Sequence, residues 1–214
     1  MENHELLAQA LSLALADRGF HCTIAPQHDR SALVAQAVEL RPALVLLDLF
    51  LDDADGLDYI GDLRATGARV LVVTGCTDES RLASALALGA SGWVSKAQPF
   101  ERLLDAAESV IRGRPLVTDV RYQELLQLGR AHLQAERELK QRMAQLTARE
   151  REVLWALAEG ESAKDIAKTF FVSVGTVRTH IQGVLGKLEV SSQLAAVAQA
   201  RLLLTSENGP PRSR

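Results

Sequence analysis

Three polar side chains stand at the ends of three apolar runs. Asp48 follows residues 43–47, Thr74 follows residues 69–73, and Lys96 lies just beyond residues 92–94. A carboxylate, a hydroxyl and an ammonium drawn from separate strands suit acyl-phosphate chemistry. The carboxylate attacks a phosphoryl group, a divalent metal neutralises the crowded oxygens, and the hydroxyl and the lysine hold the remaining oxygens. Singly, each residue has a plainer explanation: an aspartate closing a strand often caps the next helix, and a lone lysine is usually a solvated side chain. Three at matching strand ends favour a site.

The elements that must position them follow from periodicity. Apolar runs at residues 20–25, 43–47, 69–73 and 92–94 read as strands. Helix spacing marks Glu5–Asp17, residues 31–40, Leu57–Ala65, Glu79–Leu88 and Phe100–Ile111. Such alternation predicts a parallel sheet covered on both faces. Functional groups in these sheets gather beyond the C-terminal strand ends, where Asp48, Thr74 and Lys96 fall.

Composition narrows the class. The 214 residues suit two small domains, and 47% hydrophobic with 24% charged residues excludes wholesale disorder. No apolar run approaches the ~20 residues of a membrane helix; residues 43–51 come nearest and are broken by Asp48. Nothing near Met1 resembles a signal peptide, and Cys22 and Cys76 form neither a disulfide framework nor a metal quartet. A cytoplasmic protein with no membrane partner is expected. The net charge of −3 conceals an asymmetry. Nine Lys or Arg face sixteen Asp or Glu in residues 1–112, six face four in 113–145, and nine face seven in 146–214. An acidic first half and a mildly basic second half point to different partners.

Val45-Leu46-Leu47-Asp48-Leu49 with Asp55-Gly56, then Val72-Val73-Thr74-Gly75, then Gly89-Ala90-Ser91-Gly92-Trp93-Val94-Ser95-Lys96 resembles the receiver domain of bacterial response regulators. The resemblance implies a flavodoxin-like, doubly wound α/β fold with strand order 2-1-3-4-5. It makes Asp48 the phospho-acceptor, Thr74 the switch hydroxyl, Trp93 the occupant of the switch-aromatic position and Lys96 the phosphate-pairing lysine. It further implies Mg²⁺ held by Glu2, Asp48 and the main-chain carbonyl of Phe50, with Gly75 leaving room for the phosphoryl group.

Departures accompany the match. The usual acidic pair is reduced to Glu2-Asn3, and an amide brings no charge to the metal. The first strand is missing, so the fold reads as truncated there, with an expected true start several residues upstream. Asp52 and Asp53 stand where receivers often carry Pro and Gly. The Trp93 indole is bulkier than the usual Tyr or Phe. Phe50 and Cys76 flank the acceptor and the hydroxyl, where side chains gate an attacking water.

The second half is helical. Thr147 and Glu150 form a capping box that opens a helix to about Ala158. Ser162 starts a second helix over residues 163–170, Ser173 caps a third over Val174–Leu188, and residues 191–204 read as a fourth. Short helices with a tight turn before the third match a helix-turn-helix. On that third helix Val177, Ile181, Leu185 and Leu188 form the stripe expected to be buried. Arg178 and Gln182 suit base edges in the major groove, with Thr179 beside them. Thr176, Lys187, Lys164 and Lys168 suit phosphates.

Leu146-Thr147-Ala148-Arg149-Glu150-Arg151-Glu152-Val153-Leu154, then Asp165-Ile166-Ala167, Val172-Ser173, Gly175-Thr176-Val177-Arg178-Thr179-His180-Ile181 and Lys187-Leu188 resembles the LuxR-type DNA-binding domain. Joined to a receiver, it resembles the NarL/FixJ class of response regulators. Gly183 and Gly186 depart from the larger polar residues often found there. The whole reads as a receiver at 1–112, a helical linker at 113–145, an all-α four-helix DNA-binding domain at 146–204 and a disordered tail at 205–214. The linker pattern Leu125, Leu128, His132, Ala135 and Leu139 fits equally a short dimer coiled coil or a helix packed on its own receiver.

The expected function is transcriptional regulation, with Asp48 phosphorylated by a sensor histidine kinase and a homodimer bound to double-stranded promoter DNA. An alternative keeps DNA binding and makes the receiver a phosphorylation-independent dimerisation or ligand-sensing module. A phosphohydrolase of the haloacid dehalogenase type is disfavoured, because its second carboxylate would fall on Phe50. The protein is not expected to be an enzyme.

Overall fold

The computed structural model describes residues 5–25, 30–51 and 54–207, and the chain divides into two compact units between Leu133 and Gln134. In the first unit the chain runs α1 (Glu5–Asp17), α2 (Arg30–Leu40), β1 (Leu44–Leu47), α3 (Leu57–Ala65), β2 (Arg69–Thr74), α4 (Glu79–Leu88), β3 (Gly92–Ser95) and α5 (Phe100–Ile111). The strands form a parallel sheet in the order β1-β2-β3, with Leu44 paired to Arg69 and Thr74 to Ser95.

The central strand explains why the sequence folds this way. Its near-continuous apolar run lets alternate side chains enter two cores. Val70 and Val72 pack with Leu33, Ile60, Leu63 and Leu82 from α2, α3 and α4. Leu71 and Val73 turn the other way, onto Leu11, Leu15, Leu104 and Val110 of α1 and α5. Arg18 fastens the end of α1 to α5, donating to Glu108 at 2.8 Å and Glu101 at 2.7 Å.

The strand expected at residues 20–25 does not form; residues 21–25 join no ladder. A strand exists only where a neighbour completes its hydrogen bonds. In the order 2-1-3-4-5 that neighbour is the first strand, and no strand precedes β1 among the described residues. A groove of about 500 Å³ opens here, lined by Leu11, Leu15, Phe20, Ile24, Leu33 and Leu44.

One long helix, α6 (Asp119–Ala144), carries the linker. Its first half packs on the first unit: Leu125 is buried with Ala83 and Leu86 of α4. The second unit then holds α7 (Ala148–Ala158), α8 (Ala163–Thr169), α9 (Val174–Leu188) and α10 (Gln193–Glu207). Residues 205–207 thus continue a helix that was expected to end before them, and residues 208–214 lie outside the described residues. Leu154, Val184, Leu188, Ala196 and Ala200 form one core cluster, and Val153, Ile166, Val177 and Ile181 form another. Trp155 packs on the first of these, a local core role. The buried stripe of α9 runs through Val184, whereas Leu185 is only half-buried. No described helix is long and apolar enough to cross a membrane.

Candidate phosphoryl-acceptor site and nucleic-acid face

Parallel pairing brings the ends of β1 and β3 to the same edge of the sheet, and the two charges meet there. The Lys96 ammonium donates to Asp48 Oδ2 at 2.6 Å. The Phe50 N–H donates to Asp48 Oδ1 at 3.1 Å. The Asp48 side chain is only 2% exposed and that of Lys96 16%, so water screens this pair weakly. Lys96 is aimed by its own backbone, whose N–H donates to the Thr74 carbonyl at 2.9 Å. The Thr74 hydroxyl is fully buried and accepts from the Cys76 N–H at 3.2 Å. It is therefore turned into its own loop, and the structure joins Lys96, not Thr74, to Asp48.

The rim of the site comes from the loop after β1 and from α4. Gly56 lies against the acceptor strand: its N–H donates to the Leu49 carbonyl at 3.0 Å, and a Cβ there would overlap the Asp48 carbonyl oxygen. Arg81 of α4 pairs with Asp55 at 2.7 Å, both side chains 13% exposed, and its guanidinium lies 5.6 Å from the centre of the Phe50 ring. Burial pushes the Asp55 carboxyl upward, and Arg81 and the Leu57 N–H only partly offset it. Arg81 thus latches α4 to the loop that supplies the second hydrogen bond to Asp48. Trp93, half-buried on β3, packs against this core and also against the cluster formed by Ala83 and Leu86 of α4 with Leu125 of α6.

In the second unit, α8 and α9 flank a turn at Phe171, which sits at φ +54° and is 96% exposed. Ser173 caps α9 by accepting from the Thr176 N–H at 3.0 Å. Lys164, Lys168, Thr176, Arg178, Thr179 and Gln182 are all exposed. Lys168 makes a 3.5 Å pair with Asp165, and the Thr179 hydroxyl donates to the Gly175 carbonyl at 3.2 Å. Lys187 differs from the reading as a phosphate contact. It is half-buried and donates to Glu150 Oε2 at 2.6 Å, so its charge is neutralised inside the domain.

Residues 1–108 match the response regulator receiver domain family, and residues 144–200 match the luxR family of bacterial regulatory proteins. The chain belongs to the response regulators. It is 28% identical over 202 residues to the response regulator protein VraR of Staphylococcus aureus, covering 94% of this chain and 93% of the relative. It is equally 28% identical to the transcriptional regulatory protein LiaR of Bacillus subtilis, covering 94% of both. The solved two-component response regulator RcsB–DNA complex aligns over 96% of this chain and 95% of its own, at 21% identity and a TM-score of 0.48.

Receiver domains bind Mg²⁺ at their phosphorylation site. Two donors of this regulator suit that ion: Asp48, whose two oxygens keep lone pairs beyond the bonds to Lys96 and Phe50, and the Phe50 carbonyl. Both are hard oxygen ligands, as Mg²⁺ requires. Glu2, the third expected ligand, lies outside the described residues.

Several working residues of this regulator escaped the sequence reading. Arg81 carried no periodic mark, because its partners Asp55 and Phe50 come from another element. The Glu150 carboxylate, recognised only as half of the capping box, also lies across α9. It accepts from the Thr147 N–H at 2.7 Å and from Lys187, and a Cβ at Gly183 would overlap its Oε1. Gly183, a departure from the family, is thereby explained.

Two outcomes follow. Gly56→Ala is expected to displace the acceptor loop from Asp48 and to cost several kcal/mol through the backbone clash, on the order of other severe core lesions, as read by urea unfolding. Glu150 gives a pH dependence. Burial works to raise its carboxyl, but Lys187 and both Thr147 hydrogen bonds outweigh this and hold it below the usual carboxylate range. Its contribution is therefore present above the unfolded value of ~4.3 and lost as pH falls through the lower folded value. Unfolding of Glu150→Gln should show a flatter acid dependence than the parent chain.

Proposed function

We propose that this response regulator is phosphorylated on Asp48 by a sensor histidine kinase and, as a homodimer in the cytoplasm, binds promoter DNA through α8 and α9. One observation carries the reading: the Asp48–Lys96 pair at 2.6 Å, assembled from the ends of two parallel strands. Lys96 already stands where a phosphoryl oxygen on Asp48 would need a counter-charge. Mg²⁺ held by Asp48, the Phe50 carbonyl and Glu2 would neutralise the remaining oxygens. Asp48 supplies the nucleophile, Lys96 orients and pairs, and Thr74 closes on the phosphoryl group after leaving the Cys76 N–H. Trp93 follows that movement.

On the DNA side, Arg178 and Gln182 read base edges, with Thr179 alongside. Lys164, Lys168 and Thr176 seat phosphates, while Lys187, paired with Glu150, holds α9 in place. Residues 1–112 act as receiver, 113–145 as linker and 146–204 as the DNA-binding part. The receiver accepts a phosphoryl group without turning over a substrate, so the protein is not an enzyme.

A second reading, a receiver that works without phosphorylation, draws on the 2% exposure of Asp48 and on the turned-away Thr74 hydroxyl. One experiment separates the two. Incubation of the full chain with acetyl phosphate and Mg²⁺ is expected to add a single phosphoryl mass, absent in Asp48→Ala; no addition alongside retained DNA binding favours the second reading. On a duplex selected from a randomised pool, Arg178→Ala is expected to cost about 1–3 kcal/mol and relax base preference at one position. Lys164→Ala should weaken all sequences alike and lower the salt slope by about 1. Equal, sequence-independent losses in both variants would contradict this division of labour.

A further inference from the structure

The linker helix is fastened to α4 in a way that only glycine permits. A Cβ at Gly129 would overlap the carbonyl oxygen of Ala83 and crowd the Ser84 nitrogen, so the two helix backbones touch there. One turn earlier, Leu125 is 1% exposed against Ala83 and Leu86, with Tyr122, Leu126 and Trp93 around it. A further turn back, Arg121 pairs with Glu79 at the start of α4. Glycine weakens a helix interior relative to alanine, so at position 129 close approach is what the residue provides. The seat is a narrow stripe: Val120 is 73% exposed and Leu128 37% exposed on the remaining surface of α6.

The same α4 holds the acceptor loop on its other flank, through Arg81 to Asp55 and Phe50. Trp93 touches both the core beneath α4 and the seat of α6. α4 therefore contacts both the loop around Asp48 and the linker helix, and the Trp93 indole packs on both the core beneath α4 and the cluster that seats that helix. A two-state element biased from both ends is what couples two sites.

We propose that the first half of α6 is a lock on the receiver. Seated on α4, it holds Trp93 and α4 in the unphosphorylated arrangement, and a phosphoryl group on Asp48 loosens it. The inference rests on the phosphorylation reading above and adds to it where the signal leaves the receiver. Coupling is reciprocal: whatever phosphate does to the seat, opening the seat does to phosphorylation.

The test uses the full chain, its Gly129→Leu and Leu125→Ala variants, acetyl phosphate with Mg²⁺, intact mass and hydrogen exchange. Leucine favours helix, so Gly129→Leu evicts α6 without unwinding it, and Leu125→Ala empties the seat with no clash. In the parent chain the amides of residues 122–133 should exchange about tenfold faster once Asp48 is labelled. Gly129→Leu should exchange fast without donor and take up phosphate severalfold sooner, with Leu125→Ala between them. A labelled parent chain whose residues 122–133 stay equally protected overturns the lock. So does a Gly129→Leu chain with a loosened α6 and an unchanged labelling rate. A parent chain that gains no mass overturns the phosphorylation reading itself, and the mass alone tells these failures apart.

Discussion

A carboxylate withdrawn almost wholly from water needs a partner for each of its oxygens. Asp48 meets that demand with the Lys96 ammonium on one oxygen and the Phe50 N–H on the other. Nearly everything else in the first unit serves this arrangement. β1 and β3 must run parallel to the same C-terminal end of the sheet, β2 must hold them apart with side chains buried on both faces, and Gly56 must let the returning loop lie on the Asp48 backbone. The pair is weak evidence of stability, since buried ion pairs often only break even against apolar packing. Its value is positional: it fixes a carboxylate and an ammonium at one point beyond the strand ends.

The second unit is organised around a comparable charge. Glu150 completes a capping box, accepts from Lys187 and lies in the space left by Gly183. It ties the start of α7 to α9, and so sets the angle at which the exposed face of Arg178 and Gln182 is presented. On the proposed DNA-binding role, spending Lys187 on this contact leaves fewer cations for phosphates and shifts weight to base contacts and to pairing of two copies.

Local chemistry was legible in the sequence, and tertiary proximity was not. The strands around Asp48, Thr74 and Lys96 follow from apolar runs, and α7 to α9 follow from Thr147, Ser162 and Ser173 as caps. The strand misread at residues 20–25 shows the limit: an apolar run reports burial, but a strand also needs a neighbour. Arg81, Gly129 and the second role of Glu150 depend on partners brought close only by folding. A hint existed at Gly129, a lone glycine in an otherwise strong helix. Close approach resolves that conflict, which helix propensity alone leaves standing.

The central claim is that charge arriving at the Asp48–Lys96 pair changes how the second unit meets DNA. The most direct measurement is the affinity of the full chain for a selected duplex at fixed salt, with and without acetyl phosphate and Mg²⁺, in the parent protein and in Lys96→Ala. The account predicts tighter binding on phosphorylation in the parent and little or no change in Lys96→Ala. Equal affinity in all four conditions, with the parent shown by mass to be phosphorylated, would contradict it.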